Sequence, residues 1–276
     1  MAPKVRLDRL LVERGLAESR EKAQAVILAG EVEVEGRRAD KPGMPVPPGA
    51  AVVVRSIRRV RVGRAGEKLE GALDVFGVPV AGRSALDIGA SIGGFTECLL
   101  RRGALCVIAL DVGKGQLHWS LRSDPRVIPL EGINARYLQT ADLPRTPSPL
   151  DLVVCDVSFI SLTMILPAIA RVLPEGDAVV LVKPQFEAGR GKVGPGGILK
   201  DPSVREQAVR GVISAAVRTG FRCLAACLSP LPGAEGNREL FLRLSRGQEP
   251  PGLSAGLEDS LRAALNEAEA GAPEAS

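Results

Sequence analysis

Aromatic side chains are scarce in this 276-residue sequence: six Phe, one Tyr and one Trp, with none in the first 60 residues. A segment without aromatics has no platform on which bases can stack, which excludes single-strand readers of that kind from the N-terminal region. Histidine occurs once, at His118, and the five cysteines (Cys98, Cys106, Cys155, Cys223 and Cys227) form no CxxC pair. No spacing suited to metal ligands exists, so no metal is expected, and His118 beside Trp119 is read as a packing or substrate-surface residue. Cysteines that are odd in number and mostly set in apolar runs read as core thiols of a reducing compartment. No uncharged apolar stretch reaches the roughly 18 residues that would span a bilayer. The opening residues also lack the apolar run of a secretory signal, so the sequence predicts a soluble, cytoplasmic protein with no membrane partner.

What is present is a hydrophobic content of 45%, enough for a mid-sized domain and a small one. Charge is uneven. The net value is only +4, but residues 1–64 hold 14 Lys/Arg against 8 Asp/Glu. A basic first quarter attached to a nearly neutral body points to a polyanionic partner, the alternative being a solvated basic surface.

The first 60 residues read as a small α+β unit. Leu7, Leu10 and Leu11 mark a helix ending near Gly15. A second helix starts with Ser19 as N-cap, carries Ala23, Val26 and Ile27 on one face, and stops at Gly30. Alternation from Glu31 to Gly36 predicts a half-buried strand, and a Pro/Gly-rich stretch, Pro42 to Gly49, leads to another at Ala51–Val54. Arg6-Leu7-Asp8, Leu11, Gly15-Leu16, Ser19-Arg20, Ala23, Ile27, Gly30, Val32, Val34 and Gly36 resemble the pattern of the S4 RNA-binding domain. That resemblance implies phosphate contacts by Arg6, Arg20 and Lys22, which position RNA without reading its sequence. Basic residues 58–64 follow, with Arg59 and Arg64 as further RNA-binding candidates.

From residue 67 the pattern changes. Apolar runs at 85–88, 105–110, 127–130, 150–155 and 178–182 alternate with helical segments, which predicts a Rossmann-like α/β domain built on a parallel sheet. Runs at 223–228 and 239–244 would close the sheet as a hairpin, and Leu257, Leu261 and Leu265 mark a last helix before a flexible tail. The expected divisions are 1–57, a linker 58–66, a catalytic domain 67–246, and a C-terminal helix and tail 247–276.

The first of these strands ends in Asp87-Ile88-Gly89-Ala90-Ser91-Ile92-Gly93-Gly94-Phe95-Thr96. A glycine-rich strand-to-helix turn brings backbone amides close to the anionic end of a ligand. Asp111, at the end of the next strand, is placed to accept from ribose hydroxyls. The turn alone fits a nicotinamide enzyme as well as a methyltransferase, although Ser91 replaces the middle glycine of the dinucleotide fingerprint and no hydride-transfer site follows. Asn134, after the third strand, is either an adenine contact or an ordinary turn residue. Strand four ends at Cys155-Asp156-Val157-Ser158-Phe159. It lacks the paired prolines of exocyclic-amine methyltransferases. Cys155, the one nearby nucleophile of the carbon-5 pyrimidine type, points to the opposite face from Asp156 by alternation. A ribose hydroxyl instead needs a base, and Lys183, closing the apolar strand before Pro184, is a candidate; a lysine snorkelling at a strand tip is the alternative.

Together with Lys68-Leu69, Gly71-Ala72-Leu73, Asp111-Val112-Gly113, Asn134-Ala135-Arg136, Lys183–Glu187, Gly196-Gly197 and Asn237, these segments resemble the TlyA (haemolysin-A-like) family of ribosomal RNA 2′-O-methyltransferases, relatives of the FtsJ type. The resemblance implies S-adenosylmethionine as cofactor, held by Asp87, Gly89, Ser91, Gly93, Gly94, Phe95, Thr96, Asp111 and Asn134. It implies a catalytic tetrad of Lys68, Asp156, Lys183 and Glu239, and cytidine in assembled ribosomal subunits as substrate. Gly63-Arg64-Ala65 departs from the family's usual Ser-Arg-Gly, and Arg61 stands where an aromatic is common. Gly189–Gly197 reads as a lid or as a plain surface loop. Two rival functions are an RNA-binding assembly factor with an inert methyltransferase fold and a membrane-lytic haemolysin.

Overall fold

The computed structural model describes residues 4–17, 19–28, 30–54, 64–189, 191–233, 236–247 and 249–270. Arg59, most of the linker and the last six residues lie outside them. The described residues of Met1–Arg61, with His118–Asp124, form one compact unit, and those of Val62–Leu117 and Pro125–Ser276 a second.

In the first unit β1 (Val5–Arg6) leads into α1 (Leu7–Glu13), then α2 (Arg20–Leu28), β2 (Val32–Val34), β3 (Arg37–Ala39), β4 (Pro45–Val46) and β5 (Val52–Val54). Ser19 caps α2, its hydroxyl accepting from Lys22 N at 3.3 Å. β2 is paired on both sides, by β3 and β5, and β1 pairs with β4. Leu7, Leu10, Leu11, Ala23, Ile27, Val32, Val34 and Val54 fill the core. The β2–β3 hairpin turns on Glu35 and Gly36, both at positive φ (51° and 74°), a two-residue turn whose twist suits a hairpin. Strands β1 and β4 left no mark in the sequence because each has only two residues, and β3 left none because Arg37-Arg38 hides any apolar alternation.

In the second unit the chain forms α3 (Ala65–Phe76), β6 (Ser84–Ile88), α4 (Gly94–Arg101) and β7 (Cys106–Asp111). The short α5 (Trp119–Arg122) belongs to the segment grouped with the first unit; His118 caps it, its Nδ1 2.8 Å from Ser120 Oγ. There follow β8 (Val127–Glu131), β9 (Leu150–Cys155), α6 (Leu166–Val172), β10 (Gly176–Val182), α7 (Pro184–Glu187), α8 (Pro202–Arg218), β11 (Arg222–Leu228), β12 (Leu240–Arg246), β13 (Gly252–Leu253) and α9 (Leu257–Ala270). All seven apolar runs are strands. The sheet order is β13-β11-β12-β10-β9-β6-β7-β8. It is parallel from β8 to β10, with β12 antiparallel to both β10 and β11.

Two features place a site. The chain winds outward through β6, β7 and β8, then returns to the other side of β6 with β9, so β6 and β9 flank the topological switch point where ligands bind in such sheets. Alternation then sorts the faces. Leu86, Ile88, Ile108, Val153, Cys155, Val180, Val182, Leu240 and Leu242 pack with α6, α8 and α9. The intervening positions, Asp87 among them, face the opposite side, that of α3 and α4. At the far end of the strands Arg83 bridges Asp151 and Asp177, each at 3.0 Å, which pins the starts of β9 and β10 to β6.

Asp8 anchors the first unit. Its buried carboxylate accepts from Arg6, Arg20 and Gln24 side chains at 2.9–3.0 Å and from Arg9 N at 2.9 Å. The Arg6 guanidinium, foremost, holds this carboxyl far below its ordinary range. A depressed carboxyl stabilises the fold above the ordinary carboxylate range and ceases to do so as pH falls through and below it. Asp8→Ala should therefore cost the N-terminal unit roughly 1–3 kcal/mol at neutral pH and less as the medium is acidified. Hydrogen exchange of α1 and α2 reads this directly; equal protection in both proteins at pH 7 would contradict it.

Candidate active site

The turn after β6 is forced into shape by its neighbour. Gly89 lies at φ +85°, and a Cβ there would sit 2.3 Å from the Asp156 carbonyl oxygen beyond β9. Asp156 N in turn donates to Ile88 O at 2.9 Å. Ser91 takes the left-handed conformation usual for glycine, at φ 49°, and its amide donates to Asp111 Oδ2 at 2.8 Å. Gly113 N donates to the other oxygen at 2.7 Å. Gly93, at φ 104°, caps α4, and Gly94 opens it.

Behind this turn Asp87 is fully buried. Thr96 Oγ1 donates to its Oδ2 at 2.6 Å, while Oδ1 has no hydrogen bond. Burial pushes the Asp87 carboxyl up to about 7, reinforced by the nearby Asp156 and Asp111 charges and opposed by Thr96. Phe95 is buried too, its ring 6.1 Å from that of Phe241, so its contribution is packing.

The four tetrad candidates form two ion pairs. Lys183 Nζ lies 2.6 Å from Asp156 Oδ1, and Lys68 Nζ lies 2.7 Å from Glu239 Oε2. The pairs are neighbours by register. Val182 pairs with Leu240 in the β10–β12 ladder, which sets Lys183 and Glu239 one step beyond, side by side. Because Cys155, Val182 and Leu240 face the α6 side, Asp156, Lys183 and Glu239 face the α3 side. Lys68 lies on the inward stripe of α3 with Leu69, Ala72 and Leu73. It is only 12% exposed and Glu239 only 2%, and Gly233 makes room, since a Cβ there would meet Glu239 Oε1 at 2.1 Å. Cys155 is buried on the other face and its thiol is pushed upward by burial, which disposes of the nucleophile reading.

Two cavities meet at Asp156, the second also lined by Lys183, while Lys68 and Glu239 line neither. A cleft of about 500 Å³ is lined by Gly89, Ser91, Asp111, Asn134, Asp156 and Ser158, with Val112, Ile133 and Ile165 as apolar walls. A second, of about 270 Å³, is lined by Arg64, Ile92, Gly94, Phe95, Ser158 and Lys183, and shares Gly89, Ser91 and Asp156 with the first. Asn134 lines the cleft, and its Oδ1 caps the following turn by accepting from Arg136 N at 3.0 Å.

Several participants went unnoticed in the sequence. Ser158 Oγ accepts a hydrogen bond from Lys183 Nζ at 2.8 Å. Phe159 is 91% exposed at φ 64°, a backbone state that costs an aromatic residue on the order of 1–3 kcal/mol, and its ring lies 5.2 Å from that of Phe186. Glu187 holds this loop, accepting from Ser161 Oγ at 2.5 Å and Leu162 N at 2.7 Å. Of the RNA-facing candidates, Arg64 lines the second cavity, Lys22 is exposed on α2, and Arg6 and Arg20 are half-exposed around Asp8.

The raised Asp87 carboxyl has a measurable sign. Between the ordinary carboxylate range and about pH 7 the folded chain keeps a proton that the unfolded chain has released, so Asp87 subtracts stability as pH rises across that window. Asp87→Asn should remove this slope and be the more stable protein above pH 7, by a few kcal/mol at most. Chemical denaturation at a series of pH values tests it, and parallel stability curves for the two proteins would refute it.

Comparison with known proteins agrees with this geometry. The FtsJ-like methyltransferase model matches residues 61–246, and the S4 domain model matches residues 5–52. A Mycobacterium tuberculosis protein named 16S/23S rRNA (cytidine-2′-O)-methyltransferase TlyA is 49% identical, over 97% of this chain and 99% of its own. A Brachyspira hyodysenteriae protein named hemolysin A is 44% identical, over 85% and 97% respectively. A solved Streptococcus thermophilus structure described as a hemolysin superposes with a TM-score of 0.71 at 40% identity, covering 98% of this chain and 97% of that one. Haemolysin and methyltransferase names thus attach to relatives of one architecture, and this chain belongs to the TlyA family of FtsJ-like methyltransferases.

Proposed function

We propose that this chain is an S-adenosylmethionine-dependent methyltransferase acting on a ribose 2′-hydroxyl of ribosomal RNA, cytidine in assembled ribosomal subunits being the substrate, and that it works in the cytoplasm. The observation that carries this reading is the meeting of two cavities at Asp156 and Ser158, with Lys183 on the wall of the second. Holding the Lys183–Asp156 pair largely out of solvent at that junction costs desolvation, which favours an active site over an inert fold.

The cleft fits the cofactor. Its volume is in the range of small-molecule sites, Val112, Ile133 and Ile165 offer apolar walls for an adenine, and Asp111 stands at the end of β7 for ribose hydroxyls. The unsatisfied Asp87 Oδ1 supplies acceptor capacity beneath the glycine turn. When bound, the cofactor supplies an electrophilic methyl group on a sulfonium. Lys183 would take the proton of the 2′-hydroxyl as that oxygen attacks. Asp156 compensates the ammonium so produced. Lys68 and Glu239, locked together next to Lys183 in the strand row, would hold the sugar in line. The basic N-terminal unit and linker dock RNA through phosphates, leaving the choice of nucleotide to the catalytic domain.

The test is incubation with methyl-labelled cofactor and separated ribosomal subunits, followed by mapping of the label. Lys183→Ala should lower transfer by about 10²–10⁴-fold while RNA binding stays near that of the unsubstituted protein. Parallel loss of both would contradict the role of base, and label on a base instead of a sugar would overturn the reaction.

A further inference from the structure

We propose that Ser158 is the positioning residue that aims the Lys183 amine at the substrate hydroxyl, an inference that rests on the ribose-methylation reading above. Three observations meet at this side chain.

The first is the hydrogen-bond geometry at Lys183. Asp156 Oδ1 is the nearer atom at 2.6 Å, but the angles of that contact are poor for a hydrogen bond. The hydrogen bond of proper geometry on Nζ, among the described residues, goes to Ser158 Oγ at 2.8 Å. A charge contact is tolerant of rotation about the last carbon–nitrogen bond, whereas a hydrogen bond fixes it. With one N–H committed to Ser158 and Asp156 holding the nitrogen from a second side, one direction of Nζ is left for the substrate hydroxyl.

The second is location. Ser158 follows Asp156 by two residues beyond the end of β9, and it lines both the cleft and the second cavity. The hydroxyl therefore stands where methyl donor and acceptor must meet.

The third is the cost of keeping it there. The very next residue, Phe159, is bent into the left-handed region, and Glu187, four residues after Lys183, clamps the loop at Ser161 and Leu162. One clamp thus ties the segment bearing Ser158 to the segment bearing Lys183, so the spacing of hydroxyl and amine is set by both. Strain held in place at a site is a pointer to function.

In the reaction Ser158 exchanges no proton and forms no bond. The proton leaves the 2′-oxygen for Lys183 Nζ, and the new ammonium keeps its hydrogen bond to Ser158 throughout. The role is thus confined to the rate of the chemical step.

Single-turnover methylation of ribosomal subunits by the full chain, with separate measurement of cofactor and subunit affinity, tests this. Ser158→Ala should slow transfer on the order of ten- to a hundredfold, the worth of a hydrogen bond to a charged group, with both affinities unchanged. Ser158→Thr, which keeps the hydroxyl, should recover most of the rate. A rate for Ser158→Ala within about twofold of the parent overturns the proposal, as does equal loss in the Thr and Ala proteins or a loss confined to affinity. Absence of sugar methylation by the unsubstituted chain would instead overturn the reading on which it rests.

Discussion

The close passage of two backbones at the switch point governs the site. Between Gly89 and the Asp156 carbonyl there is no space for a single methyl group, and the Asp156 amide is bonded to Ile88. These contacts lock the tips of β6 and β9 together, so the glycine turn and the Asp156 carboxylate become parts of one surface. Everything further along follows from pairing: β10 lies beside β9 and β12 beside β10, which carries Lys183 and Glu239 into the same row. The site is a cross-section through the ends of four adjacent strands. Loops need only terminate them correctly.

Strand alternation decides which residues of that row do chemistry. Cys155, Val182 and Leu240 spend their side chains on the core with α6, α8 and α9, and each is adjacent to a charged residue turned the other way. Lys68 meets them from α3. A shift of one residue in any of these strands would exchange a core side chain for a charged one, burying an unpaired charge and exposing an apolar group at once. The same hydrophobic packing that stabilises the sheet therefore enforces the register of the candidate site, and the bond network of Arg83 with Asp151 and Asp177 at the opposite end of the strands reinforces it.

Much of this was readable in advance because the strands of the large sheet are apolar runs bounded by turns, and because glycines at forced positions leave a mark in the sequence. The short strands β1 and β4 left none, since two residues cannot show a period, and in β3 Arg37-Arg38 hides it. Phe95 and Thr96 belonged to the glycine segment by position, but only packing shows that the first fills the core and the second serves Asp87. Ser158 was hidden for another reason. A serine after a strand has many uses, and its bond to Lys183 joins residues 25 apart in the chain, a distance that no local pattern reports. The direction of Asp156 relative to Cys155 was legible, whereas the off-axis character of its contact with Lys183 was not.

Charge is distributed in a way that separates binding from chemistry. Two lysines and two carboxylates at the candidate site cancel in pairs, so the catalytic row itself exerts little pull on a polyanion. The excess positive charge sits in residues 1–64, where Arg6 and Arg20 share one buried carboxylate and still present half their surface to solvent. Phosphate affinity drawn from such groups is long-ranged and sensitive to salt, while ion pairs sheltered from solvent are screened far less. On the proposed reading, rising ionic strength weakens docking and leaves the transfer step on bound RNA nearly untouched. On the same reading Asp156 faces Lys183 before and after proton transfer, because the phosphates are held by other residues.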